Sequence, residues 1–228
     1  MVRAAGTAIS SARVAEGLAA VRRRIERAGG GPDVVVLPVT KGFGPDAIEA
    51  AVAAGCERIG ENYAQELLAK LPEISGPRPE VHFIGQLQSR KVRTLAGVVD
   101  VWQTIDRPVL VDELASRSPG ARVMVQVNVT GEPQKAGCTP ADAPALVAGA
   151  RDAGLVVEGL MTIGRAGPPE GSRAGFRELR ALADRLGVRH CSMGMSEDLE
   201  VAVASGSTMV RVGTAVFGQR PPPPDPPK

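Results

Sequence analysis

Val34-Val35-Val36-Leu37-Pro38-Val39-Thr40-Lys41 is the stretch that decides how this 228-residue chain folds. Residues 34–39 are short, β-branched and almost wholly apolar, the pattern of a strand buried on both faces of a parallel sheet. Lys41 therefore places an amine at the carboxyl end of a buried element. Just upstream, Gly29-Gly30-Gly31-Pro32 stops a helix expected over residues 7–28, where Ile9, Val14, Leu18, Val21 and Ile25 share one face and arginines occupy much of the rest.

Downstream the same alternation repeats. Short strand-like segments lie near 57–60, 81–85, 99–104, 122–129, 155–161, 189–193 and 209–213. Helix-like segments near 45–55, 62–71, 86–97, 107–117, 139–153, 172–187 and 196–206, with a short one after Gly213, separate them. Strict alternation means right-handed parallel crossovers. Eight units in about 200 residues fit a single α/β domain, a (β/α)8 TIM-type barrel with an additional amino-terminal helix, better than an open doubly wound sheet of about five or six strands. The barrel is expected over residues 1–220. Pro221-Pro222-Pro223-Pro224-Asp225-Pro226-Pro227-Lys228 cannot form a ladder or a helix and reads as a proline-rich disordered tail.

Composition narrows the function. With 43% hydrophobic and 23% charged residues the chain is of ordinary globular type. Lys and Arg number 27 against 25 Asp and Glu, without long basic runs, which argues against a nucleic-acid surface. Cys56, Cys138 and Cys191 are far apart and lack metal-ligand spacing, so neither a disulfide framework nor a metal site is expected. No signal-type apolar stretch and no membrane-length apolar run occur, and the chain reads as soluble and cytoplasmic.

In such a barrel the functional face is built from strand carboxyl ends. Lys41, one of only five lysines, ends a buried strand there. Desolvation disfavours its ammonium and makes the amine usable as a nucleophile toward a carbonyl. The alternative is a lysine that merely snorkels out at the rim. A second constellation follows strands seven and eight: Gly194-Met195-Ser196 and Arg211-Val212-Gly213-Thr214. Loops at that place, with the first turn of a short extra helix, commonly bind phosphate through backbone N–H groups. Gly213 would allow close backbone approach, and the Ser196 and Thr214 hydroxyls can donate. Ser196 as a plain helix cap and Gly213 as a plain turn are the alternatives.

Closing the barrel puts strand eight beside strand one, so Lys41 and the phosphate-type loops become neighbours. An amine beside a phosphate cradle suits an aldehyde that carries a phosphate, and pyridoxal 5′-phosphate is the commonest such cofactor. Arg211 would then face the pyridine nitrogen and keep it unprotonated, which weakens the ring as an electron sink. Asn62, with Gln65 three positions on, is expected to cap the helix after strand two and could also bond the cofactor. His82 reads as a satisfied core histidine, Met161 as core or a ring-contacting wall, and Arg90 and Lys91 as a solvated helix face.

Beyond these residues, the chain resembles the pyridoxal phosphate homeostasis proteins, single-domain relatives of the alanine racemase barrel. The resemblance rests on Val39-Thr40-Lys41, Gly60-Glu61-Asn62-Tyr63, His82-Phe83-Ile84-Gly85 with Leu87-Gln88 and Lys91, and Thr104-Ile105-Asp106. It continues through Gln126-Val127-Asn128, Lys135-Ala136-Gly137, Gly159-Leu160-Met161, Gly194-Met195-Ser196, Arg211-Val212-Gly213-Thr214 and Val216-Phe217-Gly218. It implies pyridoxal phosphate held as a Schiff base on Lys41, phosphate around Ser196, Gly213 and Thr214, and Arg211 at the ring nitrogen. It also implies buffering or delivery of the cofactor to apo-enzymes that need it, without an enzymatic reaction of its own. Two departures stand out. Thr162-Ile163-Gly164 lacks a proline usual near Gly164, with a short glycine- and proline-rich stretch up to Gly175, and Gly42-Phe43-Gly44-Pro45 is richer in glycine than usual, which would loosen the loop beside Lys41.

The rival functions are an alanine-racemase-like enzyme, a cofactor-free aldolase using Lys41, and a protein-binding module suggested by the proline tail. A racemase needs a second base on the opposite cofactor face, and the only tyrosine here is Tyr63. Lacking the domain that builds the racemase dimer, the chain is expected to be a monomer.

Overall fold

The computed structural model describes residues 9–220, so the helix start expected at residues 7–8 and the proline-rich tail lie outside the described residues. Helix α1 (Ser11–Arg27) begins where the Ser10 hydroxyl accepts from the Arg13 N–H at 3.3 Å, and it buries Val14, Val21 and Ile25. The apolar runs then become strands: β1 (Val35–Pro38), β2 (Arg58–Glu61), β3 (Glu80–Phe83), β4 (Val101–Ile105), β5 (Arg122–Gln126), β6 (Val156–Met161), β7 (His190–Ser192) and β8 (Met209–Val212). Between them run α2 (Pro45–Ala53), α3 (Ala64–Lys70), α4 (Ser89–Leu95), α5 (Pro108–Arg117), α6 (Ala143–Asp152), α7 (Arg173–Leu186) and α8 (Leu199–Val203), and the single-turn α9 (Thr214–Phe217) follows β8.

All ladders are parallel, in the order β1-β8-β7-β6-β5-β4-β3-β2. Val35 to Pro38 of β1 lie opposite Met209 to Val212 of β8. β1 and β2 meet through the single bridge Val39–Gly60, with the Thr40 N–H donating to the Gly60 carbonyl at 3.1 Å. The result is the expected barrel, nearly closed, with α1 added outside it.

Several expected elements are shorter in the structure. The strand expected over 122–129 ends at Gln126, because beyond it the Asn128 side chain accepts from the Thr130 N–H at 3.2 Å and turns the chain. The helix expected over 196–206 contracts to α8, because Asp198 Oδ1 takes the Met195 N–H at 2.6 Å and holds residues 195–198 as a loop.

Alternation along each strand divides the core into two shells. Outward-facing residues such as Trp102, Val123, Leu160 and Val210 pack with helix residues Leu67, Leu95, Leu110 and Phe176. Leu37, Val39, Ile84, Val101, Met124, Met161 and Met209 fill the barrel interior. Each such fully buried side chain contributes about 1.5–3 kcal/mol relative to exposure.

Helix α1 packs on α9, α2 and α8. At Gly17 a β-carbon would stand 2.8 Å from Val216 Cα, so only glycine permits this approach of α1 to α9. Arg24 bridges α1 to the top of β7, donating to the Ser196 carbonyl at 2.8 Å and to Glu200 at 2.6 Å. The additional helix thus helps fix a loop at the barrel mouth.

Candidate functional site

A cavity of about 440 Å³ opens at the strand carboxyl ends. Lys41 after β1, Asn62 after β2, Ser196 between β7 and α8, Arg211 of β8, and Gly213 and Thr214 at the start of α9 all line it. Val39, Ile84 and Met161 of the interior shell also line it, so an apolar surface lies beneath a ring of polar groups.

Lys41 is half-buried, and among the described residues its ammonium has no hydrogen-bond or ion-pair partner. Its pKa lies below the ordinary lysine value, first because burial desolvates the ammonium and then because Arg220 and Arg211 repel it. Glu61 and Glu66 pull the other way without reversing the shift.

The backbone around that lysine is held from behind. Lys70 Nζ donates to the Thr40 carbonyl and to Glu61 Oε1, both at 2.8 Å, and also to Glu66. The Thr40 hydroxyl donates to Glu61 Oε1 at 2.6 Å, and the Gly42 N–H donates to Glu66 Oε1 at 2.6 Å. Burial raises the Glu61 pKa, and Lys70 opposes the rise. Phe43 is buried and packs on Phe217 with ring centroids 5.4 Å apart. Gly42 sits at φ +77°, where a side chain would be strained. The glycine-rich segment after Lys41, expected to be loose, is thus tied to α3 and α9.

Arg211 is buried, and its guanidinium donates to the Ser192 carbonyl at 2.7 Å, to Ser192 Oγ at 2.9 Å and to the Thr162 carbonyl at 2.7 Å. Desolvation lowers its pKa to about 10, against the pull of Asp198, so it stays charged at neutral pH. Ser196 is half-buried and Thr214 exposed at the mouth. The first N–H groups of α9 have no carbonyl a turn earlier in the helix to accept them.

Two local expectations need correction. Asn62 does not cap α3: that helix begins at Ala64, its cap position is Tyr63, and no side chain bonds there. Asn62 remains in the loop, where its Oδ1 is buried without a partner among the described residues. Ser196 is likewise not a helix cap, since Asp198 takes that position before α8. His82 is buried with both ring nitrogens bonded, as expected of a core histidine. Met161 is buried and lines the cavity, whereas Arg90 and Lys91 lie in α4 away from it.

Sequence reasoning missed Arg165, Arg220 and Lys135 as lining residues. Lys135 Nζ donates to the Gly164 carbonyl at 2.6 Å and pairs with Glu132. Its place in Lys135-Ala136-Gly137 was the available signal; Arg165 and Arg220 had none. Among the described residues no group of three His, Cys, Asp or Glu is arranged to hold a metal, and no helix is long and apolar enough to cross a membrane.

The alanine racemase N-terminal domain family matches residues 9–221. The pyridoxal phosphate homeostasis protein of Pseudomonas aeruginosa is 39% identical over 220 residues, covering 91% of this chain and 96% of its own. That of Aquifex aeolicus is 38% identical, covering 91% and 97%. The chain belongs to the pyridoxal phosphate homeostasis protein family. Among solved structures, PipY of Synechococcus elongatus with PLP bound is 32% identical, with a TM-score of 0.78 over 90% of this chain and 100% of that one. D-threo-3-hydroxyaspartate dehydratase from Delftia, 18% identical with a TM-score of 0.69, shares the fold. The motifs that carried the resemblance to this family, Val39-Thr40-Lys41, Gly60-Glu61-Asn62, Gly194-Met195-Ser196 and Arg211-Val212-Gly213-Thr214, supply all six of the expected site residues, and the fold gathers these around one cavity.

Proposed function

We propose that this chain binds pyridoxal 5′-phosphate in the cavity at the strand carboxyl ends and serves to hold and pass on that cofactor within the cell. The observation that carries this is the pairing of an unpartnered, desolvated Lys41 amine with a buried, charged Arg211 in one cavity bordered by Ser196, Gly213 and Thr214. The names of the relatives and the PLP-bound PipY structure point the same way.

The residues present fit the group. Burial and the nearby Arg220 and Arg211 lower the Lys41 pKa and so raise the share of neutral amine, which condenses with an aldehyde as one water leaves. Ser196, Gly213 and Thr214 offer hydroxyl and backbone donors to a phosphate. Asn62 has an unused buried polar atom at the same cavity. Arg211, pinned to Ser192 and Thr162, keeps donors over for the cofactor's ring nitrogen and no acceptor. When bound, the cofactor supplies an electron-withdrawing ring conjugated to the lysine nitrogen. A guanidinium that stays protonated leaves the ring nitrogen without a proton, which weakens that withdrawal and favours holding over turnover.

Tyr63, the one tyrosine, is exposed before α3 and does not line the cavity, which speaks against a racemase-type second base. Acceptors would be apo-forms of pyridoxal phosphate enzymes. A monomer in the cytoplasm goes with this reading, and three free cysteines suit a reducing compartment.

The test is an absorption spectrum of the purified protein mixed with pyridoxal phosphate, beside Lys41→Ala. The wild type should gain a band near the visible that borohydride removes, and the variant should not. No band in either protein at excess cofactor would overturn the assignment.

A further inference from the structure

A continuous file of polar side chains crosses the largely apolar barrel interior. Arg211 on β8, Ser192 on β7, Gln103 on β4 and His82 on β3 are all nearly fully buried, and they run from the cavity toward the amino-terminal rim. Arg211 Nη1 meets Ser192 Oγ at 2.9 Å, Ser192 Oγ meets Gln103 Oε1 at 2.7 Å, and Gln103 Nε2 meets His82 Nδ1 at 2.7 Å. His82 Nε2 then meets Glu80 Oε1 at 2.7 Å, and the other Glu80 oxygen pairs with Arg122, which also holds Glu158 at 2.6 Å. Val101, Met124 and Met209 belong to the apolar cluster of the same interior, where an unpaired polar group is costly.

We propose that Gln103, acting through Ser192, is a positioning residue for Arg211, and that the file from Glu80 to Arg211 is a one-way hydrogen-bond chain that fixes the orientation of the guanidinium and of its N–H groups toward the cavity. This rests on the reading of the cavity as a pyridoxal phosphate site.

The two ends dictate the direction. Glu80 is ionised through the neutral range, its pKa held down to about 2 first by the His82 hydrogen bond and then by the Arg122 hydrogen bond and charge, against desolvation. It can only accept, so His82 Nε2 carries the hydrogen. The Gln103 amide nitrogen lies 2.7 Å from Nδ1, which accepts from it and so carries no hydrogen. Met209 Sδ, 3.2 Å from that same nitrogen, takes a further N–H, and a flipped amide would set its oxygen against two acceptors. Gln103 Oε1 is left to accept from the Ser192 hydroxyl, and Ser192 Oγ to accept from Arg211. Every link donates away from the cavity, so the guanidinium is held by acceptors on one side and presents its remaining N–H groups on the other.

Two measurements test this. Nitrogen NMR on histidine-labelled protein without cofactor, which has only His82 and His190 to assign, should show a hydrogen on His82 Nε2 and none on Nδ1. A hydrogen on Nδ1 overturns the chain, and this measurement needs no variant to fold. Gln103→Leu should still form the borohydride-sensitive band with pyridoxal phosphate, yet bind about tenfold or more weakly with a shifted absorption maximum, as when one charged hydrogen-bond partner is lost. Ser192→Ala should do the same. Wild-type affinity and maximum in both variants overturn the proposal while leaving the cofactor site intact. Absence of the band in the wild type overturns the cofactor reading instead.

Discussion

Lys70 Nζ lies 2.8 Å from the carbonyl oxygen of Thr40, one residue before the cavity lysine, and so ties α3 to the end of β1. The same ammonium answers two carboxylates, Glu61 and Glu66, of which Glu61 is fully buried.

Lys70→Met should therefore destabilise the protein by about 3 kcal/mol or more, because it strands a buried carboxylate. Glu61→Gln combined with Lys70→Met should recover part of that loss. Urea unfolding midpoints read both; equal midpoints for the wild type and Lys70→Met would show that the cluster contributes nothing.

Arg220 repels Lys41, and its removal should raise the Lys41 pKa. The rate at which wild-type protein forms its band with pyridoxal phosphate should climb with pH through a midpoint below the usual lysine value of about 10.4. In Arg220→Ala that midpoint should move upward. A midpoint that stays put or falls contradicts the assigned cause.

The pairing of β8 with β1 and the gathering of Lys41, Asn62, Ser196, Arg211, Gly213 and Thr214 were legible in the sequence, because buried parallel strands announce themselves as apolar runs and a barrel sends their ends to one face. Asn62 as a cap was misread, since spacing to Gln65 says nothing of whether the chain stays extended through Tyr63, as it does here at φ −120°, ψ 117°. Lys70, Gln103 and Ser192 gave no local sign. Their partners lie 30 and 89 residues away for the bonds that matter, and only the closed barrel brings such groups together.

Glu80 offers a pH test of the lower rim. A carboxylate whose folded pKa is depressed stabilises the fold above its unfolded pKa, about 4.3, and loses that contribution as pH falls through the folded value. Glu80, at about 2 when folded, should make the wild type more stable than Glu80→Gln at neutral pH. The gap should shrink between about pH 4 and pH 2. Chemical unfolding at a series of pH values measures it, and a gap independent of pH in that window would refute the assignment.

Two glycines should respond oppositely to alanine. Gly17→Ala forces a β-carbon to 2.8 Å from Val216 Cα and should destabilise by about 1–3 kcal/mol in spite of better helix propensity. Gly149→Ala in α6, with open space at its β-carbon, should stabilise by about 0.5–1 kcal/mol. Thermal melts of the two variants should fall on either side of the wild type.

The join of the barrel has a mechanical consequence. Of the eight staves, β1 and β2 are fastened to each other by the lone rung Val39–Gly60, and the next residues along are Thr40 and Lys41 on one side and Glu61 and Asn62 on the other. Lys41 thus stands beside a seam closed by one rung. Anything that fills the cavity against both Lys41 and Asn62 spans that slit and acts as a rivet, so occupancy of the site and rigidity of the whole cylinder rise together.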